Sequence, residues 1–174
     1  MVLKEFAYIH DEGHIPDTLK QVPFLDSFTS EHLDDVLHSS SIVECDEGDV
    51  VIEEGNTEAR IYILLAGELD VMKGEEKIAG FSKTGEIFGE LAVVNEEART
   101  ASVVARSKTF CLAVDQQFLQ DIKPKEENAS FYAALYEFIA RITAGRLKET
   151  SMEVVKLDKR IQDLEQELEA LKGK

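Results

Sequence analysis

The spacing of apolar residues changes twice along the chain and divides it into three segments. Residues 1–40 show interrupted helical spacing, and residues 41–127 show short β-rich runs between turn signals. Residues 128–174 return to a long helical pattern. We expect an N-terminal helical segment, a β domain and a long C-terminal helix, in that order.

The middle segment carries turn signals at regular intervals. In chain order these are DEGD, EEGN, AGE, KGEE and KTGE, at roughly the 8–12-residue spacing of antiparallel all-β folds. Many short strands joined by glycine-containing turns favour a small barrel or a jelly roll, in which strand pairing closes the sheet edges. The predicted fold class is therefore mainly β with flanking α-helices.

The N-terminal segment is punctuated by two prolines, Pro16 and Pro23, which interrupt helical structure. Thr29 or Ser30 is a suitable N-cap for a helix over the stretch FTSEHLDDVL. We expect short helices here rather than one long helix.

Apolar residues of the C-terminal segment form two runs. The first run has 4-3-4 spacing and comprises Phe131, Leu135, Phe138 and Ile142. The second run has the 3-4-3-4-3 spacing of a coiled coil and comprises Val154, Leu157, Ile161, Leu164, Leu168 and Leu171. Because the two runs are out of phase, we expect a stutter or a bend between Gly145 and Thr150.

The second run predicts dimerisation through this helix. Its apolar seam needs a cover, and the sequence after Thr150 supplies no further element for it, so a second copy of the chain is the natural partner. Parallel pairing is the simplest arrangement, since both domains then lie at the same end. The alternative is one amphipathic helix that packs on its own domain.

The net charge of the chain limits the classes of partner that it can bind. A net charge of −16, from 19 Lys and Arg against 35 Asp and Glu, repels nucleic acid and anionic membranes. Two cysteines are too few for a disulfide framework. We see no signal-peptide pattern and no apolar stretch near the ~20 residues that a membrane span needs. We therefore expect a cytoplasmic protein that binds neither nucleic acid nor membrane.

Candidate chemistry is concentrated between Gly85 and Val103, in the stretch GEIFGELAVVNEEARTASV. Its GELAVV portion reads as the first turn of a short helix, where unpaired N–H groups attract an anion. Gly89 allows close approach of the backbone, and the planar fork of Arg99 suits a phosphate. Glu90 would repel a phosphate but would accept a hydrogen bond from an adjacent sugar hydroxyl. These residue types together indicate a nucleotide.

The stretch FGELAVVNEEARTASVVA resembles the phosphate-binding cassette of cyclic nucleotide-binding domains. The resemblance extends over roughly residues 23–157, and the nine-position separation of Glu90 and Arg99 is that of kinase regulatory subunits. It implies an eight-stranded jelly roll. It also implies that Glu90 binds the ribose 2′-hydroxyl and that Arg99 binds the cyclic phosphate. The remaining implied contacts are the backbones of Gly89, Leu91, Ala92 and Ala101 and the hydroxyl of Thr100.

A second match lies in the long helix, where GRLKETSMEV resembles the dimer helix of the catabolite activator. This resemblance implies that Thr150 and Ser151 contact the base and that Arg146 lies near the phosphate. The alternative is that these residues are simply solvated. A Thr after the cassette arginine, here Thr100, is associated with cGMP, whereas the Thr150–Ser151 pair favours cAMP. We expect cAMP, with cGMP as the other possible ligand.

These observations predict a receptor rather than an enzyme. All four histidines precede the β segment, so no histidine-based metal site of the cupin type is expected in it. The catabolite activator type continues into a helix-turn-helix, whereas this sequence ends at LEALKGK, and transcription-factor activity is not expected. The competing hypothesis is a structural or adaptor coiled-coil protein with a domain that binds no nucleotide. The sequence does not identify the downstream protein partner.

Overall fold

A computed structural model of the protein describes residues 3–7, 37–58, 60–95, 97–115 and 129–172. The chain forms two compact units, Met1–Ala134 and Leu135–Lys174. The helix cap predicted at Thr29 or Ser30 lies outside the described residues. Among the described residues, no helix is long and apolar enough to cross a membrane.

The described part of the first unit contains nine strands. They are β1 (Lys4–Ala7), β2 (Ser40–Cys45), β3 (Val50–Ile52), β4 (Arg60–Ala66), β5 (Leu69–Lys73), β6 (Glu76–Phe81), β7 (Ile87–Phe88), β8 (Ser102–Ala105) and β9 (Thr109–Asp115). One sheet has the order β1-β2-β9-β4-β7 and the other the order β3-β8-β5-β6. Every pairing is antiparallel. The predicted mainly β, antiparallel class is confirmed.

A shared apolar cluster holds the strands of both sheets together. Alternate residues of β2 and β9 enter it, among them Val43, Cys45, Cys111 and Ala113, because successive side chains of a strand point to opposite faces. The intervening residue Leu112 is also fully buried. The central strand β9 is therefore buried on both faces and reads as a nearly continuous apolar run.

The structure differs from the sequence-based expectation at β1. Residues 4–7 fall in the segment expected to be helical, but they pair with β2 from Lys4 opposite Glu44 to Ala7 opposite Ser41. Polar contacts support the pairing, since the Ser41 hydroxyl donates to Glu5 at 2.6 Å and Lys4 lies 3.6 Å from Glu44. These partners are distant in sequence, so local helical spacing could not reveal them. With β1 included, the expected count of eight strands is not confirmed.

The C-terminal segment is one uninterrupted helix, Ala129–Lys172. The phase change near Gly145 therefore occurs without a break in the helix. All six residues of the predicted coiled-coil run are exposed, from 46% for Leu164 to 72% for Leu171. Pairing of this helix with a second copy stays a prediction.

Two hairpin glycines provide a matched test of the fold. Gly67 (φ 98°) and Gly74 (φ 58°) both adopt a left-handed conformation, which costs an alanine about 1–2 kcal/mol. At Gly67 a Cβ would also lie 2.6 Å from the carbonyl oxygen of Lys108, whereas at Gly74 it would meet nothing within 4 Å. Gly67→Ala should therefore lower the free energy of unfolding by about 1–3 kcal/mol more than Gly74→Ala. Urea unfolding followed by circular dichroism measures both, and equal losses would contradict the predicted clash.

Candidate functional site

The candidate site begins where β7 ends. Gly89 follows Phe88, and the helix α1 (Glu90–Asn95) begins at the next residue, as the GELAVV pattern predicted. Gly89 has φ 81°, and a Cβ there would lie 2.8 Å from Nη1 of Arg99 and 2.9 Å from the carbonyl oxygen of Arg60. Both the conformation and the space at this position therefore require glycine.

An aromatic stack fixes the residue before this glycine. Phe88 is 1% exposed, and its ring stacks on Tyr62 with centroids 5.3 Å apart and on Phe81 at 5.2 Å. Tyr62 is the register partner of Phe88 in the first sheet, while Phe81 belongs to β6 of the second. The stack thus joins the two sheets directly beside Gly89 and gives the start of α1 a rigid support.

The Arg99 guanidinium is buried and held by backbone oxygens. The side chain is 6% exposed. Nη1 donates to the carbonyl of Gly89 at 2.6 Å, and Nη2 donates to the carbonyl of Arg60 at 2.8 Å. Burial lowers the pKa of Arg99 below its ordinary value, and the nearby Tyr62, Glu58 and Glu90 oppose that effect. A guanidinium has five N–H donors, so these two bonds engage only part of its capacity.

Glu90 is the second buried charged residue of the site. It is 2% exposed, although it occupies the first turn of a helix, where an acid is ordinarily solvated. Its charge raises the pKa of Arg99, which places the carboxylate within electrostatic reach of the guanidinium. The structure therefore brings Gly89, Glu90 and Arg99 together, and buries a carboxylate and a guanidinium in one cluster.

A turn between β3 and β4 holds the backbone of residues 99–102, which we call the arginine segment. The Gly55 N–H donates to the carbonyl of Arg99 at 2.9 Å, and the Arg99 N–H donates to the carbonyl of Asn56 at 2.8 Å. The Glu54 N–H donates to Oγ of Ser102 at 2.9 Å. These three bonds fix residues 99–102 from one side.

Lys73, at the end of β5, joins that turn to the arginine segment. Its Nζ lies 2.6 Å from Oε1 of Glu54 and donates to the carbonyl of Thr100 at 2.7 Å. The Gly74 N–H also donates to Glu54, at 3.2 Å. These hydrogen bonds lower the pKa of the Glu54 carboxyl, so the contact strengthens above the ordinary titration range of a glutamate and weakens in acid.

Arg60 supplies one of the carbonyls that hold Arg99, and its own side chain is fixed by three carboxylates. Nη1 of Arg60 donates to both oxygens of Glu5 at 3.1 Å. Nε lies 2.7 Å from Asp115 and 3.3 Å from Glu58. Burial lowers the pKa of Arg60, but these carboxylates outweigh it and raise the pKa overall. The first strand of the chain is thereby connected to the candidate site.

The other predicted site residues differ in their setting. Ala92 is buried, Ala101 is half-buried, and Leu91 and Thr100 are exposed. Arg146, Thr150 and Ser151 lie on the second helix, α2 (Ala129–Lys172), in the other compact unit. There Arg146 is half-buried, Thr150 is exposed, and the Ser151 hydroxyl donates to the carbonyl of Leu147 at 2.7 Å.

Sequence reasoning missed Glu54, Asn56, Arg60 and Lys73. Asn56 and Arg60 act through backbone carbonyls, which carry no side-chain signature in a sequence. Glu54 lies in the turn signal EEGN, and this pattern predicts only a turn. In the part of the chain that the structure describes, no group of three or more His, Cys, Asp or Glu could hold a metal ion.

Comparison with known proteins identifies the class of this domain. Residues 42–125 match the model of the family described as cyclic nucleotide-binding domain. This region contains most of β2 and the strands β3 to β9, together with Gly89, Glu90 and Arg99. Residues 42–125 of this chain are thus similar to the cyclic nucleotide-binding domain family.

Its relatives include a kinase regulatory subunit and a protein kinase. The chain is 38% identical over 89 residues to the cAMP-dependent protein kinase regulatory subunit of Hypocrea atroviridis, over 51% of this chain and 19% of that protein. It is 31% identical over 115 residues to the cGMP-dependent protein kinase of Plasmodium berghei, over 65% of this chain and 13% of that protein. The chain therefore spans about a fifth or less of the length of these two relatives.

A solved structure shows the same fold. A candidate cyclic nucleotide-binding protein from Geobacter metallireducens superposes with a TM-score of 0.67 at 22% identity, over 76% of this chain and 97% of that chain. Its similarity concerns the fold and does not by itself assign a ligand.

Variants of two lysines on the β5–β6 hairpin test whether Lys73 holds the arginine segment in place. Lys73→Met removes the contacts to Glu54 and to the carbonyl of Thr100, so peptides covering residues 54–56 and 99–102 should exchange their amide hydrogens faster. Lys77→Met is the matched control, because Lys77 pairs with Asp70 on the same hairpin. Hydrogen–deuterium exchange read by mass spectrometry compares the two. Equal exchange in both variants would show that Lys73 does not restrain this segment.

Proposed function

We propose that this protein is a cytoplasmic, non-enzymatic cyclic nucleotide receptor, with cAMP as its ligand and a C-terminal helix that forms a homodimer. Residues 41–127 would form the binding domain and residues 128–174 the dimerisation helix. The observation that carries the proposal is the buried pair of Arg99 and Glu90 beside Gly89. A cyclic nucleotide offers a phosphate that suits the guanidinium and a sugar hydroxyl that suits the carboxylate.

Arg99 is the proposed phosphate ligand. Its two hydrogen bonds to the carbonyls of Gly89 and Arg60 orient the guanidinium while leaving further N–H donors of the fork for an anion. Burial removes competing water, which strengthens a charge-assisted hydrogen bond to a phosphate oxygen. The positive-φ backbone at Gly89 and the neighbouring Leu91, Ala92 and Ala101 backbones would line the cyclic phosphate, and the Thr100 hydroxyl would lie near it.

Glu90 is the proposed sugar ligand. Its carboxylate is buried and can accept a hydrogen bond from the ribose 2′-hydroxyl, which a purely phosphate-binding site would not need. The combination of an arginine for the phosphate and a carboxylate for the adjacent hydroxyl distinguishes a cyclic nucleotide from inorganic phosphate.

The residues that bear on the choice of base favour different nucleotides. The Thr150–Ser151 pair supports cAMP, with Arg146 near the phosphate, whereas Thr100 supports cGMP. The relatives include a cAMP-dependent kinase regulatory subunit and a cGMP-dependent kinase. We propose cAMP as the ligand, and a comparison of both nucleotides decides between them.

Removal of the Arg99 guanidinium tests the binding site. A hydrogen bond to a charged group contributes about 1.5–3 kcal/mol, so Arg99→Ala should weaken cAMP binding at least about tenfold. Arg99→Lys, which keeps the charge but loses the planar fork, should also weaken binding. Isothermal titration calorimetry with cAMP and with cGMP gives both affinities for each variant.

Arg106→Ala is the matched control for that titration. Arg106 is an exposed arginine that pairs with Glu68 on the surface, so its removal should leave the affinity unchanged. Urea unfolding of each variant separates a lost ligand contact from a lost fold. Wild-type affinity in a folded Arg99→Ala variant would refute the assignment of Arg99.

The competing function is a structural or adaptor coiled-coil protein with a nucleotide-free domain. A ligand at about 100 times its dissociation constant stabilises the native state by about 2.7 kcal/mol, which raises the thermal midpoint measurably. Failure of both cAMP and cGMP to shift the midpoint of the wild-type protein would favour the adaptor.

The signal is proposed to pass through α2. A ligand can shift a conformational equilibrium only by its differential affinity for the two states, so repositioning of the helix requires a contact that differs between them. Arg146, Thr150 and Ser151 are the proposed contacts on this helix, and the Gly145–Thr150 region is the proposed joint. An unidentified downstream protein would read the change.

Disruption of the apolar run on α2 tests the homodimer. The double variant Ile161→Asp with Leu164→Asp places two charges among the exposed apolar positions and should convert a dimer into a monomer, because desolvating unpaired carboxylates is costly. Gln162→Asp with Gln166→Asp adds the same two charges at polar positions of the same helix and should remain dimeric. Sedimentation velocity distinguishes the two states, and an unchanged dimer in the first variant would rule out this interface.

A further inference from the structure

The heptad frame of the exposed apolar run on α2 continues before the six residues that the spacing predicted, and its positions form a longer stripe. Continued backward in steps of three and four, the stripe passes through Leu147, Ala140 and Tyr136 and through the polar Thr150 and Thr143. Leu147 is 66% exposed and Tyr136 is 56% exposed. The stripe therefore stays in one heptad frame across Gly145, and the earlier run beginning at Phe131 lies on a different face of an uninterrupted helix.

The side-chain shapes along this stripe select a partner. In the heptad frame abcdefg, Val154, Ile161 and Leu168 occupy a positions, while Leu157, Leu164 and Leu171 occupy d positions. Two of the three a residues are β-branched and every d residue is leucine, a combination that favours two strands in a parallel coiled coil. The chemistry of the stripe thus fits one further helix with the same pattern.

The charges beside the stripe fit a second copy in parallel and in register. In that arrangement a g residue of one helix faces the e residue five positions later on the other. Arg160 then faces Glu165 of the second copy, and Glu167 faces Lys172. Each opposite-charge pair occurs twice in the symmetric dimer.

An antiparallel arrangement is less favoured by the same charges. There e positions face e positions and g positions face g positions, so the repulsion between Asp158 and Glu165 would offset the attraction between Arg160 and Glu167. The parallel arrangement has one like-charge pair, Glu153 facing Asp158, at the end of the seam next to Thr150.

We propose that a second copy of this chain occupies the stripe in a parallel, in-register coiled coil selected by the Arg160–Glu165 and Glu167–Lys172 pairs. This inference rests on the proposed homodimer and specifies its geometry. The like-charge Glu153–Asp158 pair makes the heptad beside Thr150 and Ser151 the weakest of the interface. Separation of the two helices therefore begins at the end that carries the proposed base contacts.

Engineered cysteines test the orientation in the full-length protein. Val154→Cys and Leu171→Cys, each alone, should form a covalent dimer under mild oxidation, because identical positions face one another only in a parallel, in-register pair. Gln162→Cys, on the outer face, should not. The native thiols should not cross-link under these conditions, since Cys45 and Cys111 are buried and burial raises the pKa of Cys45 to about 11.

The outcomes of that experiment are distinct. Cross-linking of Val154→Cys only with Leu171→Cys, in a protein that sediments as a dimer, would establish an antiparallel pair and overturn the inference while the homodimer stands. A wild-type protein that sediments as a monomer would overturn both. A trimer or tetramer would overturn the two-stranded geometry.

A charge exchange tests the proposed pairs directly. Arg160→Glu and Glu165→Arg should each weaken self-association severalfold, because each creates two like-charge contacts. An equimolar mixture of the two variants should recover the wild-type dissociation constant as a heterodimer, since both pairs become attractive again. Weakening in each variant without recovery in the mixture would overturn the pairing. Glu153→Lys in an otherwise wild-type chain should lower the dissociation constant of the dimer. An unchanged dissociation constant would contradict the proposed weak heptad.

Discussion

The burial of the Arg99 guanidinium is the constraint on which the rest of the site depends. A positive charge that is 6% exposed needs acceptors, and the backbone carbonyls of Gly89 and Arg60 provide them. Those carbonyls can approach the guanidinium only because residue 89 has no Cβ. The conformation at Gly89 in turn starts α1 at Glu90 and is supported by the aromatic stack of Phe88. Removing the arginine would leave several elements without a common anchor.

The same constraint explains why distant strands converge on one segment. The turn that contains Gly55 and Asn56 fixes the backbone of Arg99, Lys73 fixes the carbonyl of Thr100, and Arg60 connects the segment to β1 through Glu5. These contacts are local hydrogen bonds and exposed ion pairs, each of modest individual strength. Together they hold residues 99–102, of which only Ser102 belongs to a strand, and such preorganisation would lower the cost of binding at the proposed anion site.

The sequence contained the site's side-chain chemistry but not its supports. The grouping of Gly89, Glu90 and Arg99 could be predicted because a glycine, a carboxylate and a guanidinium combine in the cassette that this stretch resembles. Their binding of a nucleotide stays a prediction. The antiparallel sheets could be predicted from glycine turns at regular spacing. The strand Lys4–Ala7 could not, because it depends on pairing with Ser41 and Glu44 far along the chain. The roles of the Asn56 and Arg60 carbonyls could not be predicted either, because every residue has a backbone carbonyl.

The strong negative charge of the chain bears on how two copies could associate. Each copy carries −16, so their approach is opposed at long range, but a Debye length of about 10 Å at 0.1 M ionic strength confines that repulsion. Association then depends on contacts made within a few ångströms. In the proposed dimer, the apolar stripe of α2 would supply an attraction that salt does not screen, and Arg160 and Lys172 would lie beside it.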